Sequence, residues 1–206
     1  MQDRQTRHAV GVLAYGSLIG DPGQELAAVT QLIIDNVPTP FGIEYARSSR
    51  GRGGAPTLIP VDTGGASVRG KVLVLDEEVT PAAARDMLWR RETNRVGSEK
   101  GYVPLSPITP NTVVVTEHPG LADVELVLAT KIGANFAPLT AQKLADLAIE
   151  SVRTDAGPRR RDGISYLANN IAVGIITPLT AAYEAEILRQ TATMSLKDAW
   201  HSIVSP

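Results

Sequence analysis

The sequence predicts an α+β protein: a small mixed β-barrel flanked by helices, with a helical C-terminal part, in one domain spanning residues 1–206. Three observations carry this reading. Short apolar and β-branched runs punctuated by Gly and Pro dominate the chain up to Thr130. Beyond it, capped segments of helical period follow one another from Thr140. No internal repeat, low-complexity stretch or long linker divides the chain, so the helices are expected against one barrel-like sheet.

Residues 9–15 are apolar and partly β-branched, which suits a buried strand, and they meet a Gly-Ser corner abruptly. Gly16 permits the sharp excursion of a strand exit, and amides at such a corner can cradle an anionic or carbonyl oxygen. An ordinary strand-to-loop turn would use the same residues. Asp21-Pro22-Gly23 is a turn, residues 31–37 alternate as a strand until Pro38 and Pro40, and residues 41–46 form another. Residues 48–54 make a flexible basic loop, not a P-loop, because no Gly-Lys-Ser/Thr follows. Residues 57–61 and 68–75 read as a β-hairpin across Asp62-Thr63-Gly64-Gly65.

Thr80 offers a capping hydroxyl and Pro81 a first-turn proline for a helix reaching residue 93, with Gly97 just past its end. Ala84, Leu88 and Glu92 fall at successive i+4 positions, so Glu92 shares the side of the apolar stripe. Burial there, at the negative end of the helix dipole, suits a carboxylate that exchanges protons as a general base or acid. The same spacing allows an exposed carboxylate paired with Arg91 or Arg95. Residues 102–106, 111–117 and 124–130 are further strands, separated by Pro107, Pro110 and the turn His118-Pro119-Gly120. Thr140 caps a helix carrying Leu144, Leu147, Ala148 and Val152 on one face, ending before Gly157-Pro158. Asp162 caps another with Ile164, Leu167, Ala168 and Ile171 in its stripe, and Thr177-Pro178 opens a third whose Tyr183, Ile187 and Leu188 share one side, expected to pack inward, with pairing to a second copy the alternative.

Composition excludes several functions. With 20 basic and 22 acidic residues the net charge is -2, so no global field recruits nucleic acid or an acidic membrane. An aromatic content of 4% leaves little for stacking bases. Zero cysteines rule out a disulfide framework, a thiolate nucleophile and a sulfur metal site. His8, His118 and His201 are far apart in sequence and none sits at helical ligand spacing with a second donor, so no metal site is expected. Residues 1–8 carry charge of both signs and do not resemble a signal segment, and no stretch is long enough to span a bilayer, so the expected setting is cytoplasmic. A serine hydrolase would need a second glycine two residues after Ser17. Arg159-Arg160-Arg161 could hold an anion, but reads as a solvated face or a partner for the preceding helix's carbonyls.

Four segments carry a family likeness: Tyr15-Gly16-Ser17-Leu18; Arg47-Ser48 through Arg50-Gly51 into Gly64-Gly65 and Val68-Arg69-Gly70; Leu88-Trp89-Arg90-Arg91-Glu92 followed by Gly101-Tyr102-Val103-Pro104; and Asp162-Gly163-Ile164-Ser165-Tyr166-Leu167. In this order the chain resembles the γ-glutamylcyclotransferase superfamily, and most of all its ChaC branch. The resemblance implies a small barrel with the Tyr-Gly-Ser-Leu loop and the glutamate facing one cavity. It also implies a reaction on glutathione or another γ-glutamyl amide, in which the α-amine attacks the γ-carbonyl of its own residue, closing 5-oxoproline and expelling the amine.

Both reacting groups belong to one molecule, so no cofactor is called for. Glu92 would take a proton from the α-ammonium and return one to the departing nitrogen. The amides of Gly16, Ser17 and Leu18 would hold the glutamyl end or the oxyanion, with hydroxyl contacts from Tyr15 and Ser17 and with Tyr102 lining the pocket. Arg47, with Arg50 and Arg52, would recognise a carboxylate. The chain departs from the ChaC branch in its longer segment 94–100 and in Asn135-Phe136, where that branch has a tyrosine, so glutathione specificity does not follow. The rival reading is a non-catalytic binder of a small acidic ligand in the same cavity, and either protein could be a monomer or a homodimer.

Overall fold

A wholly buried strand, β1 (Val10–Ala14), is the axis of the first part of the computed structural model, which describes residues 9–204. The expectations for residues 1–8, His8 included, lie outside the described residues. An apolar β-branched run can be buried throughout only with neighbours on both sides. Here β5 (Arg69–Leu75) lies antiparallel to β1 on one side and β7 (Leu126–Lys131) parallel on the other. Beyond them β2 (Thr30–Pro38) pairs with β5 and β6 (Val114–Pro119) with β7, giving the order β2-β5-β1-β7-β6. One helix, α3 (Pro81–Glu92), buries Ala84 and Leu88 in a cluster with Val12, Ala14, Leu18 and Leu128. Its start is the expected one, with the Thr80 hydroxyl accepting from the Ala83 amide.

The fold is thus α+β with a mixed five-stranded sheet, but this sheet has two edges, and no closed barrel forms among the described residues. Two strands expected in the same sheet, β3 (Gly42–Ser49) and β4 (Ala55–Val61), pair with each other instead. The predicted hairpin joining residues 57–61 to 68–75 is therefore replaced by a hairpin whose turn is the basic loop. Gly53 and Gly54 supply the positive φ angles, 63° and 87°, that this turn uses. The edge strand β2 is irregular, with register shifts between Thr30 and Leu32 and between Ile34 and Val37, and with Asn36 at φ 60°. Residues 102–106 form no strand, because Pro104, Pro107 and Pro110 remove donors that a ladder requires. His118 and Pro119 lie inside β6 rather than in a turn, and the chain reverses at Gly120, φ 74°. Two short helices escape the sequence reading, α1 (Ser17–Gly20) and α2 (Gln24–Val29).

By its internal contacts the chain forms two units. The first holds the residues up to Pro40 and Arg69–Ile132; the second holds Phe41–Val68 and everything from Gly133 onward. In the second, the β3–β4 hairpin accompanies α4 (Ala141–Val152), α5 (Gly163–Ala172), α6 (Thr180–Thr191) and α7 (Leu196–Val204). Thr140 and Asp162 cap α4 and α5 as expected, through the amides of Lys143 and Ser165. A Cβ on Gly163 would come within 2.7 Å of the Ala148 Cα, so α5 starts hard against α4. The third helix begins at Thr180, three residues later than expected, because a carboxylate from another element organises its entry. Buried Glu44 of β3 accepts from the Thr177 hydroxyl at 2.6 Å and from the Leu179 amide at 3.1 Å. Tyr183 and Ile187 of α6 are buried, as expected of inward packing. Among the described residues no helix is long and apolar enough to cross a membrane.

Candidate functional site

The exit of β1 and the end of α3 meet through one side chain, Arg91. Its Nη1 donates to Glu92 Oε1 at 2.7 Å, its Nη2 to Ser17 Oγ at 3.3 Å, and its Nε and Nη2 to the Asp21 carbonyl at 3.1 and 2.6 Å. A planar guanidinium with five donors is suited to such a junction. Gly23, φ 81°, makes room for it: a Cβ there would lie 3.0 Å from Arg91 Cγ. The neighbouring Arg90 repeats the device, donating from Nε to both Glu25 oxygens, at 3.1 and 2.8 Å, and from Nη1 to the Lys100 carbonyl.

The corner itself is built by Gly16, whose φ of 56° and ψ of -126° lie outside helix and strand alike. Leu18 drives its side chain into the core beside Leu88, while its amide bonds the Tyr15 carbonyl at 3.3 Å. The Tyr15 hydroxyl donates to the Thr130 carbonyl at 3.1 Å, tying the chain after β1 to the strand parallel to it. Glu92, the last residue of α3, is about one quarter exposed at its side chain, 24% against 14% for Arg91. Its Oε1 is paired, and its Oε2 has no hydrogen-bond partner among the described residues.

No protein-family model matches this chain, and no curated protein matches it either.

Of the residues singled out from sequence, Tyr15, Gly16, Ser17, Leu18 and Glu92 thus come together within the first unit. Tyr102 belongs to that unit too, where its amide donates to Asp86 Oδ1 at 2.7 Å and its hydroxyl accepts from the Val115 amide at 3.3 Å. Both bonds dock the irregular segment onto α3 and β6. Arg47 belongs to the second unit, where its Nη1 donates to the Gly133 carbonyl at 2.7 Å and burial lowers its pKa from the usual guanidinium value. Close by, Asn135 clamps the Ser48 backbone, accepting from its amide and donating to its carbonyl. Among the described residues no group of three or more His, Asp or Glu side chains is placed to hold a metal ion. His118 lies 3.1 Å from the Thr116 hydroxyl in β6, and burial pulls its pKa below the usual imidazole value.

The sequence reading gave Arg91 as a motif residue and a possible partner for Glu92, and Asp21 as part of a turn, and it did not foresee that Arg91 joins that turn to Ser17 or that Glu25 holds Arg90. The available signal was Arg90-Arg91-Glu92 itself: three successive charges on a helix that packs by one stripe cannot all face water.

Proposed function

We propose that the first unit carries a γ-glutamylcyclotransferase-like active site, releasing 5-oxoproline from glutathione or another γ-glutamyl amide. The observation that supports this best is the Arg91 bridge, which joins Ser17 of the Tyr-Gly-Ser-Leu corner to Glu92 in one constellation. In this reading Glu92 Oε2 accepts a proton from the substrate's α-ammonium, and the freed amine attacks the γ-carbonyl carbon. The carboxyl group then gives that proton to the departing nitrogen as the carbon-nitrogen bond breaks, and the regenerated carboxylate takes the second proton from the ring nitrogen and passes it to the released amine, which leaves as its ammonium form. The amides of Gly16 and Ser17 face the oxyanion. Leu18 shapes the corner, since its own amide is engaged by Tyr15. Arg91 is a positioning residue that holds Oε1 and so aims Oε2. Tyr15 and Tyr102 support the walls. The setting that fits such a substrate is the cytoplasm.

The test is incubation of purified protein with glutathione and a panel of γ-glutamyl amides, following 5-oxoproline by mass spectrometry beside a Glu92→Gln control. Removal of a general base should lower turnover by about 10²–10⁴-fold while circular dichroism stays unchanged. The second reading, a non-catalytic binder, draws on the Arg91–Glu92 ion pair, which offers both charges to a zwitterionic ligand. Its signature is saturable binding of γ-glutamyl compounds with no 5-oxoproline formed.

A further inference from the structure

A second set of residues, all in the second unit, has the makings of a ligand site that the proposed reaction does not use. A cavity of about 210 Å³ opens between α5 and α7. Its floor is apolar, with Ile164 and Leu196 buried and the Trp200 ring 8% exposed. Its rim carries Arg160, Lys197 and Asn169, all exposed. Among the described residues no carboxylate lines it.

The cationic rim is organised. Arg160 adopts φ 54°, a left-handed conformation that non-glycine residues rarely hold without cause. In this conformation its guanidinium carbon sits 3.3 Å from the centre of the Trp200 ring. A guanidinium held over an aromatic ring through its carbon still offers N–H donors at its edge, where a carboxylate or phosphate can take two at once. The ring is anchored in turn, since its Nε1 donates to Asp162 Oδ2 at 3.1 Å. That buried carboxylate also accepts from the Ser165 amide and hydroxyl and stands at the N-terminus of α5, so its charge is offset within the wall. Lys197 precedes Trp200 by three residues on α7, one turn away on the same side.

We propose that this cavity binds a small organic anion, its carboxylate or phosphate held by Arg160 and Lys197 and its compact apolar body resting on Ile164, Leu196 and Trp200. The volume is below the roughly 300–1,000 Å³ of pockets for drug-sized ligands, which limits the occupant to a small metabolite-like molecule.

The experiment uses the full chain carrying Trp89→Phe, which leaves Trp200 as its one tryptophan. Benzoate, phenyl phosphate and the neutral isostere benzamide are titrated while tryptophan emission is followed, with calorimetry in parallel. Saturable binding of either anion, weakened at least tenfold by Lys197→Ala and by Arg160→Ala, with benzamide silent, is the expected result. Benzoate alone, phenyl phosphate alone or both then says which head group the site takes. Because Arg160 and Lys197 are exposed, loss of fold is not anticipated, and circular dichroism of each variant verifies it. Absence of binding by both anions, benzamide binding as tightly as benzoate, or affinity indifferent to both substitutions overturns the proposal. Since all the residues proposed to hold the anion lie in the second unit, and binding rather than 5-oxoproline formation is read, none of these outcomes depends on whether Glu92 is catalytic.

Discussion

Glu92 shows how far a single position can be read from sequence. Its i+4 relation to Ala84 and Leu88 placed it on the packed side of α3, and it is indeed only about one quarter exposed. What periodicity could not deliver was the partner. Arg91 is adjacent in sequence, and i,i+1 neighbours do not normally face each other on a helix, yet at the final turn the two side chains converge. The second unit makes the complementary case, because the inward packing read for Tyr183 carried no information on its buried neighbour Tyr45. Tyr45 and Tyr183 are fully buried, with ring centres 5.3 Å apart. Burial pushes both phenols up, Tyr183 helped further by the charges of Tyr45 and Asp162. The folded state therefore favours the neutral phenol, and this contribution to stability is present below the unfolded value of about 10 and fades as pH rises above it. In a spectrophotometric titration near 295 nm, Tyr45 and Tyr183 should stay silent while the chain is folded and ionise together with alkaline unfolding. A full five-tyrosine absorbance step with native circular dichroism would contradict their burial.

Elements were legible where a side chain announces them. Thr80, Thr140 and Asp162 each sit one residue before a helix and each accepts from the amide three residues on, so the three helix starts agree between sequence and structure. Thr80→Ala should cost about 1 kcal/mol in urea denaturation, the usual loss for a hydroxyl N-cap, with an unchanged dependence on denaturant. Helices α1 and α2 were not legible, because four and six residues are too few for a periodic signal and both are entered from a glycine rather than a capping side chain. Strand partners were not legible either. Alternation says that residues 57–61 and 68–75 are extended, but it carries no information on which strand each one bonds, and the turn residues between them fit a hairpin that does not form. The site has the same history: the corner and the glutamate were visible as motifs, whereas the arginine joining them depends on a loop and a helix separated by some 70 positions.

At the scale of the whole chain, neither unit is continuous: each is assembled from two pieces, and the segment from Phe41 to Val68 leaves the first unit before Arg69 returns to it. In the first unit β1 must find β7, more than 100 residues downstream, and such distant parallel pairing is slow to form. During that interval, and afterwards, the outer edge of β2 is exposed with Leu32 and Ile33 about half in water, at 46% and 48%. An edge of this kind is a template on which a second chain could add a strand. The two register shifts and the left-handed Asn36 now acquire a meaning beyond geometry: they break the row of backbone groups, so that an incoming strand cannot stay in step. Replacing Asn36 with valine, which disfavours a positive φ and rewards regular pairing, should raise light scattering in proportion to protein concentration before any loss of secondary structure. A variant as clear as the parent would mean that the edge is guarded by something else. The irregularity of β2, costly to the sheet taken alone, is then what keeps the folded protein from seeding its own aggregation.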